Sequence, residues 1–251
     1  MSDRDRDERL IGLVRAHGTV TVEELSGGLG VGPSTIRRDL HRLALDGRIV
    51  RTYGGATLAD RPAGGVAPQP IRALAEKRRV AAAAARLVHD GQTIVVTSGS
   101  TAGEFARELV GHSDLTVITN SLDVAQVLLD REGVQLVVLG GVVRPRMHSL
   151  LGHLTEQACR EMRADTLFMG IGAISLEHGL MNDYMPEILT DRALRSMAAS
   201  VVVMVDSDKF HLVAPAVVFG LDEVAVIVTD SGVRPEVVED LTARGIRVIV
   251  A

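Results

Sequence analysis

The spacing of apolar positions changes once along the chain, and the change divides it. Over the first 58 residues they recur at helical intervals in short blocks. Leu10, Ile11, Leu13 and Val14 make one stripe within Arg6–His17, which predicts a helix stopped by Gly18. Thr21 with Glu24 three residues on reads as a capping box, opening a short helix whose inner face is Val22 and Leu25. Gly27–Gly32 breaks the pattern, and Pro33 or Ser34 starts a third helix with Ile36, Leu40, Leu43 and Leu45 at roughly helical spacing. Gly47 ends it. Ile49 and Val50 are strand formers and Gly54-Gly55 a tight turn, so Arg48–Leu58 predicts a hairpin.

Further on, the apolar residues run without interruption. Thr93–Thr97, Leu115–Thr119, Val134–Leu139, Thr166–Met169, Ser200–Val205, Ala225–Val228 and Arg247–Val250 predict strands. Helical stretches such as Arg78–Val88, Ala102–Val110 and Leu122–Asp130 separate them. Continuous Val/Ile runs alternating with helices predict a mainly parallel sheet covered on both faces. Between the two patterns lies Ala59–Pro70, with three prolines and two adjacent glycines, which supports neither helix nor central strand. The expected organisation is a small head at 1–58, a linker at 59–72 and a larger α/β body at 73–251.

Composition narrows the class. With 46% apolar and 24% charged residues the chain can bury a core, but aromatics are 2% and Trp is absent, so Val, Leu, Ile and Ala must build it. One cysteine, Cys159, excludes a disulfide framework and a cysteine-rich metal site, and reads as a small core residue. The eight histidines are scattered, so no metal or other cofactor is expected. No apolar run reaches the roughly 18–20 residues of a membrane span, and the first nine residues are densely charged, so a cytoplasmic setting without membrane contact is expected. The net charge of −5 does not advertise nucleic-acid binding, and the local distribution decides.

That distribution is uneven. Ser34, Thr35, Arg37, Arg38, His41 and Arg42 lie outside the apolar stripe of the third helix. Between Gly32 and Thr57 there are five arginines against two acids, including Arg48 and Arg51 on the hairpin. Such a helix could merely be solvated by its arginines. The order of parts, a capped short helix, a Gly break, a basic helix and a Gly-Gly hairpin, is that of a winged helix-turn-helix. Arginine can then read guanine with two hydrogen bonds while the wing touches backbone. Asp39 would be repelled by phosphates and is expected to orient Arg38 or Arg42.

Val22–Leu25, Ser34-Thr35-Ile36-Arg37-Arg38-Asp39-Leu40, Gly47 and Arg51-Thr52-Tyr53-Gly54-Gly55-Ala56 together resemble the N-terminal domain of the DeoR family of bacterial transcription regulators. Tyr53 stands where that family usually has His. The resemblance implies operator contact by Arg37 and Arg38.

In the body, Thr97-Ser98-Gly99-Ser100-Thr101 lies between a strand and a helix. A Gly there lets backbone N–H groups approach an anion at a helix N-terminus, with Ser98, Ser100 and Thr101 adding donors. The same residues could equally be an ordinary polar cap. Here too the chain resembles the DeoR family, in its C-terminal sensor domain, whose fold is related to ribose-5-phosphate isomerase. The landmarks are Ser98–Thr101, Thr119-Asn120-Ser121, Leu139-Gly140-Gly141, Gly152, Phe168-Met169-Gly170, Gly179-Leu180 and Asp206–Phe210. The resemblance implies a phosphorylated sugar or related metabolite as effector, met by Ser98, Gly99, Ser100, Thr101, Gly140, Gly141 and Gly170. It makes Asn120 and Ser121 readers of sugar hydroxyls and Lys209 a phosphate partner. Lys209 could instead pair with Asp206 or Asp208.

Two departures bear on chemistry. Thr97 stands where the family usually has Asp, and Ile171-Gly172-Ala173 replaces its Ala-Asp-Gly. Aldose–ketose isomerisation needs a general base. The related enzymes carry carboxylates where Ile171–Ala173 stands, so a regulator is expected rather than an isomerase with a fused head. Asn182–Glu187 reads as a loop with a Pro turn, or as pocket lining. The expected assembly is a homo-oligomer, dimer or tetramer, whose paired heads meet operator DNA. A body that only oligomerises is a third reading, separated from a sensor by ligand binding.

Overall fold

The computed structural model describes residues 3–17, 19–45, 49–52, 55–58 and 71–251. The chain separates into two compact units, 1–69 and 70–251. The expected linker at 59–70 lies outside the described residues, as do Gly18, Gly47, Arg48, Tyr53 and Gly54. Ile71 and Arg72, counted with the linker from the sequence, open a helix.

In the smaller unit, α1 (Asp3–His17), α2 (Val22–Leu29) and α3 (Pro33–Leu45) pack with strands β1 (Thr19–Thr21), β2 (Ile49–Thr52) and β3 (Gly55–Leu58). Leu10, Val14, Leu25, Ile36, Leu40, Leu43, Ile49 and Ala56 form the core, each helix contributing its apolar stripe. The capping box is present: Thr21 Oγ1 accepts from the Glu24 N–H at 3.2 Å, and Glu24 Oε2 accepts from the Thr21 N–H at 2.7 Å. Gly27 and Gly28 do not break α2. The helix runs through them to Leu29, which packs against the core, and Gly30 ends it in the left-handed region at φ 65°.

β1 was not foreseen, since three residues carry no legible period. It lies beside β3, and the sheet order is β1-β3-β2. Gly55 is therefore a strand residue opposite Thr21 rather than half of a turn. A Cβ there would collide with the Val20 carbonyl oxygen. Gly55→Ala is expected to cost this unit about 1–3 kcal/mol, the range for forcing extra atoms into a filled space. Thermal unfolding of the wild type and the variant measures it, and an unchanged midpoint for this unit would contradict the close approach.

The larger unit follows the chain as α4 (Ile71–Ala85), β4 (Thr93–Val96), α5 (Ser100–Glu108), β5 (Leu115–Thr119), α6 (Leu122–Leu128) and β6 (Val134–Val138). A hairpin of β7 (Val142–Arg144) and β8 (Ser149–Leu151) comes next, then α7 (His153–Glu161), β9 (Ala164–Met169), β10 (Ala173–Ser175) and β11 (Gly179–Asn182). The unit closes with α8 (Ile188–Met197), β12 (Ala198–Met204), β13 (Ala216–Phe219), β14 (Val226–Thr229), α9 (Pro235–Ala243) and β15 (Arg247–Val250). Seven strands make one parallel sheet in the order β15-β14-β12-β9-β4-β5-β6. The α/β class expected from the sequence is the one observed.

Alternate residues of each strand serve opposite faces. Ile94 and Val96 pack with Val80, Ala84 and Phe105, while Val95 packs in the core that holds Leu194 and Leu241. Phe105 and Phe168 stack with ring centroids 4.6 Å apart. Cys159 is fully buried in the second of these cores, where burial pushes its thiol up to about 11 and leaves it unreactive. The small antiparallel sheet β10-β11-β13 and the β7–β8 hairpin escaped the sequence reading, because strands of three or four residues leave too few alternations.

From β4 the chain steps outward to β5 and β6, then returns to β9 on the other side of β4. Strand order thus reverses between β4 and β9, and the crevice beyond their carboxyl ends is the place where such sheets take ligands.

Candidate functional site

On the smaller unit, helix α3 sorts its side chains sharply. Ile36, Leu40 and Leu43 are buried, whereas Ser34, Arg37 and Arg38 are exposed and Thr35 is half-buried. Among the described residues neither Arg37 nor Arg38 forms an ion pair. His41 belongs to α3 and Arg51 to β2.

Arg42 departs from the sequence expectation. Its two terminal nitrogens donate to the Asp7 carboxylate at 2.7 Å each, and Nη2 also reaches Asp39 at 3.3 Å. Arg6 Nε donates to Asp39 at 2.6 Å. Arg42 is therefore a brace between α1 and α3 rather than a free donor. Asp39 does orient Arg42, as expected, and it holds Arg6 as well. Burial alone would raise the Asp39 carboxyl, but hydrogen bonds from Arg6 and Arg42 outweigh it and hold the pKa below the usual carboxylate range. The carboxylates of Asp7 and Asp39 neutralise Arg6 of α1 and Arg42 of α3, while Arg37 and Arg38 are exposed.

On the larger unit, the loops beyond β4, β5, β6, β9 and β12 carry the candidate effector residues. The Thr97 N–H donates to the Phe168 carbonyl, closing β4 against β9 at the crevice. Gly99 is the N-cap residue of α5, at φ 125°, and no side chain caps that end. Gly99 has no side chain with which to cap the helix, and the N-terminal end of α5 starts beside Ser98 and Ser100.

Lys209 sits on the turn Ser207–His211 after β12 and forms no ion pair among the described residues. The carboxylate it might have met, Asp206, is taken by Lys77, a buried lysine on α4. Asp230 braces the same turn, accepting from the Ser207 N–H at 2.6 Å and the Ser207 hydroxyl at 2.9 Å. Burial would raise Asp230, but these bonds and one from the Gly232 N–H hold it below the usual range.

Three other candidates have structural duties. Asn120 is buried, its Nδ2 donates to the Leu150 carbonyl at 3.2 Å, and its Oδ1 has no hydrogen-bond partner among the described residues. Ser121 is buried and caps α6 through the Val124 N–H. Gly141, at φ 151°, is required by packing, since a Cβ would collide with Thr155 Oγ1 and the Leu151 carbonyl. Gly140 and Gly170 have open space where a Cβ would stand, within ordinary contact.

The sequence reading left one cluster unassembled. Glu187, at the end of a 3-10 turn, accepts from Arg144 at 2.6 Å, from Ser149 Oγ at 3.2 Å and from Asn182 Nδ2 at 3.4 Å. Asn182 Nδ2 also reaches Asp191 at 3.3 Å, and Arg144 lies over the Tyr184 ring. Asn182–Glu187 is thus a loop with a Pro-containing 3-10 turn whose two ends, Asn182 and Glu187, make the polar contacts while residues 183–186 are exposed. The four-residue interval from Glu187 to Asp191, which brings both onto one helical face, was the signal available in the sequence.

Both units match known families. A DeoR-like helix-turn-helix domain matches residues 6–61, and the DeoR C terminal sensor domain matches residues 72–231. The chain belongs to the DeoR family. A DeoR-family protein of Escherichia coli O157:H7, assigned as the aga operon transcriptional repressor, is 35% identical over 250 residues, 98% of this chain and 93% of that protein. The glycerol-3-phosphate regulon repressor of Escherichia coli (strain K12) is 32% identical over 246 residues, 96% of each chain. The transcriptional repressor AccR of Agrobacterium fabrum is 31% identical over 239 residues, 93% of this chain and 92% of that one. These three relatives, matched over more than nine-tenths of each chain, are named as repressors, and this DeoR-family chain is a DNA-binding transcription regulator and not an enzyme. Ribose 5-phosphate isomerase A from Neisseria gonorrhoeae gives a TM-score of 0.40 at 17% identity, over 55% of this chain and 53% of that one, too distant to bear on ligand or chemistry. No helix among the described residues is long and apolar enough to cross a membrane.

Proposed function

We propose that this regulator is a repressor of a carbohydrate-metabolism operon, released or modulated by a phosphorylated sugar. Its recognition helix is α3, which enters the major groove with Ser34, Thr35, Arg37 and Arg38 toward the DNA. Arg48 and Arg51 belong to the wing. The observation that carries the DNA half is the contrast along one helix: Arg42 is locked by carboxylates while Arg37 and Arg38 are exposed and form no ion pair among the described residues.

The effector site is the crevice beyond β4 and β9. The uncapped first turn of α5 takes the phosphate, aided by Ser98 and Ser100, with Lys209 as the cationic partner from the turn after β12. The name of one relative, the glycerol-3-phosphate regulon repressor, supports a small phosphorylated ligand. The chain acts as a homo-oligomer whose paired heads read repeated or inverted half-sites. Linkage requires that operator DNA alter effector affinity by the same factor as effector alters operator affinity.

A thermal-shift screen with sugar monophosphates tests the effector half. Ligand at 100 times its dissociation constant adds about 2.7 kcal/mol, which for a chain of this size raises the midpoint by roughly 5–10 °C. Lys209→Ala is expected to remove most of that rise. If no sugar phosphate and no inorganic phosphate moves the midpoint, the effector assignment is wrong.

A further inference from the structure

The helix by which the chain enters the larger unit is tied down near its start by a charge. Within residues 74–79 of α4, Lys77 is buried, Glu76 is half-buried, and Leu74, Ala75, Arg78 and Arg79 are exposed. The apolar anchors of α4 begin at Val80 and continue with Ala81 and Ala84, in the core that holds Val202, Met204 and Val228. Lys77 is 4% exposed, and its Nζ donates to Asp206 Oδ2 across 129 residues of chain.

Asp206 is the N-cap residue of the turn Ser207–His211, and its carbonyl accepts from the Lys209 N–H at 3.1 Å. The partner of Lys77 therefore sits at the base of the turn that presents Lys209. The path of the helix agrees. α4 packs on the sheet and ends at Ala85, before the start of β4 at Thr93, so it runs against the strand direction. Its length of about 22 Å carries its first half to the carboxyl ends of the strands. The next residue, Arg78, donates to Glu104 of α5 at 3.1 Å. Adjacent residues of α4 thus hold the two elements assigned to the phosphate. The two ties differ in kind. Arg78 is exposed, and an exposed pair contributes little. Lys77 and Asp206 are screened from water, and parting them would strand a buried charge.

We propose that the Lys77–Asp206 pair is the relay of this regulator, passing occupancy of the effector site to the helix that continues the chain from the DNA-binding unit. This rests on the effector site proposed above. A phosphate on Lys209 adds negative charge near the Asp206 carboxylate and repositions the turn. Asp206 cannot shift alone without stranding Lys77, so the first turns of α4 shift with it. Among residues 74–79 none belongs to an apolar core, which leaves Lys77 as the buried tie that sets this end of α4. Coupling needs an element whose position both sites bias, and the pair joins one end of that element to the effector turn.

The test reads coupling in the full chain. Operator affinity on the DNA flanking the gene is measured by fluorescence anisotropy, without ligand and with saturating ribose 5-phosphate, glucose 6-phosphate, glycerol 3-phosphate or inorganic phosphate. Ligand binding is followed separately by calorimetry. The effective ligand is expected to change wild-type operator affinity about tenfold or more. Lys77→Met combined with Asp206→Asn removes both charges and leaves neither buried alone. In that double variant the change is expected to fall below about twofold while the ligand still binds. A pair with a merely structural role would lower the melting temperature and leave the ratio at its wild-type value, which overturns the relay. A double variant that no longer binds the ligand places the pair inside the effector site and overturns it too. Should the double variant fail to fold, Asp206→Glu keeps both charges and lengthens one arm. It is expected to reduce the ratio about threefold or more, and an unchanged ratio overturns the relay. Arg78→Ala should keep the wild-type ratio, and a loss as large as that of the double variant would assign the coupling to α4 at large rather than to this pair. A ligand that binds the wild type without altering operator affinity overturns the relay and leaves the effector site standing. Silence toward all four probes removes the effector site, and the relay with it.

Discussion

Replacing both Arg37 and Arg38 by alanine is expected to weaken operator binding by about 30-fold or more, with the larger unit melting as in the wild type. Each arginine that reads a guanine with two hydrogen bonds is worth about 1–3 kcal/mol of discrimination, so the loss of two spans roughly 2–6 kcal/mol. Both side chains are exposed, and among the described residues neither forms an ion pair, so their removal leaves no orphaned carboxylate there. Gel-shift titration on the DNA flanking the gene, at fixed salt, gives the affinity. The salt slope should flatten only for contacts made to phosphate. Arg42→Ala serves as the contrast. It removes a brace, and its effect should appear in thermal stability before it appears in binding. Normal operator affinity in the double variant would sink the assignment of α3 as the reading helix.

Asp39→Ala is expected to unfold the smaller unit while the larger one persists. Asp39 is buried, holds Arg6 and part of Arg42, and joins helices α1 and α3 across 33 residues of sequence. Breaking a buried ion pair by deleting one partner costs about 3–5 kcal/mol, because the other charge stays behind. A unit of some sixty residues has little stability to spare. The same carboxylate ties stability to acidity. Its folded pKa lies below its unfolded one, so its contribution is complete above the ordinary carboxylate range of about pH 4 and disappears as pH falls through the folded value. Acid titration followed by circular dichroism should therefore show the wild type losing the smaller unit in that range. Asp39→Asn should already be weakened at neutral pH and should depend less on pH. An Asp39→Ala chain with a native two-step melt would show that the apolar stripes and the Arg42–Asp7 pair hold α1 and α3 without Asp39.

Which parts of this protein could be read from residue order is decided by the range of the interaction involved. The head helices follow from the period of Leu10–Val14 and Ile36–Leu43, the capping box from two residues three apart, and the seven parallel strands from uninterrupted Val/Ile runs. Each is a local regularity, and burial of one face requires it wherever the segment lies. The basic character of α3 was equally visible. What order alone left open is which arginine is free. Arg42 and Arg37 look alike on a helical wheel, and only the fold brings Asp7, 35 residues away, onto one of them. The same holds for Gly55, whose need for a bare Cα arises from a β1 backbone too short to be predicted. Arg144, Ser149, Asn182 and Glu187 meet across as many as 43 residues of chain. Residue order thus determined the elements and the charge each one carries, because those depend on neighbours along the chain. Tertiary structure decided which charges cancel, since that depends on carboxylates and guanidinium groups brought within 3 Å of one another by packing.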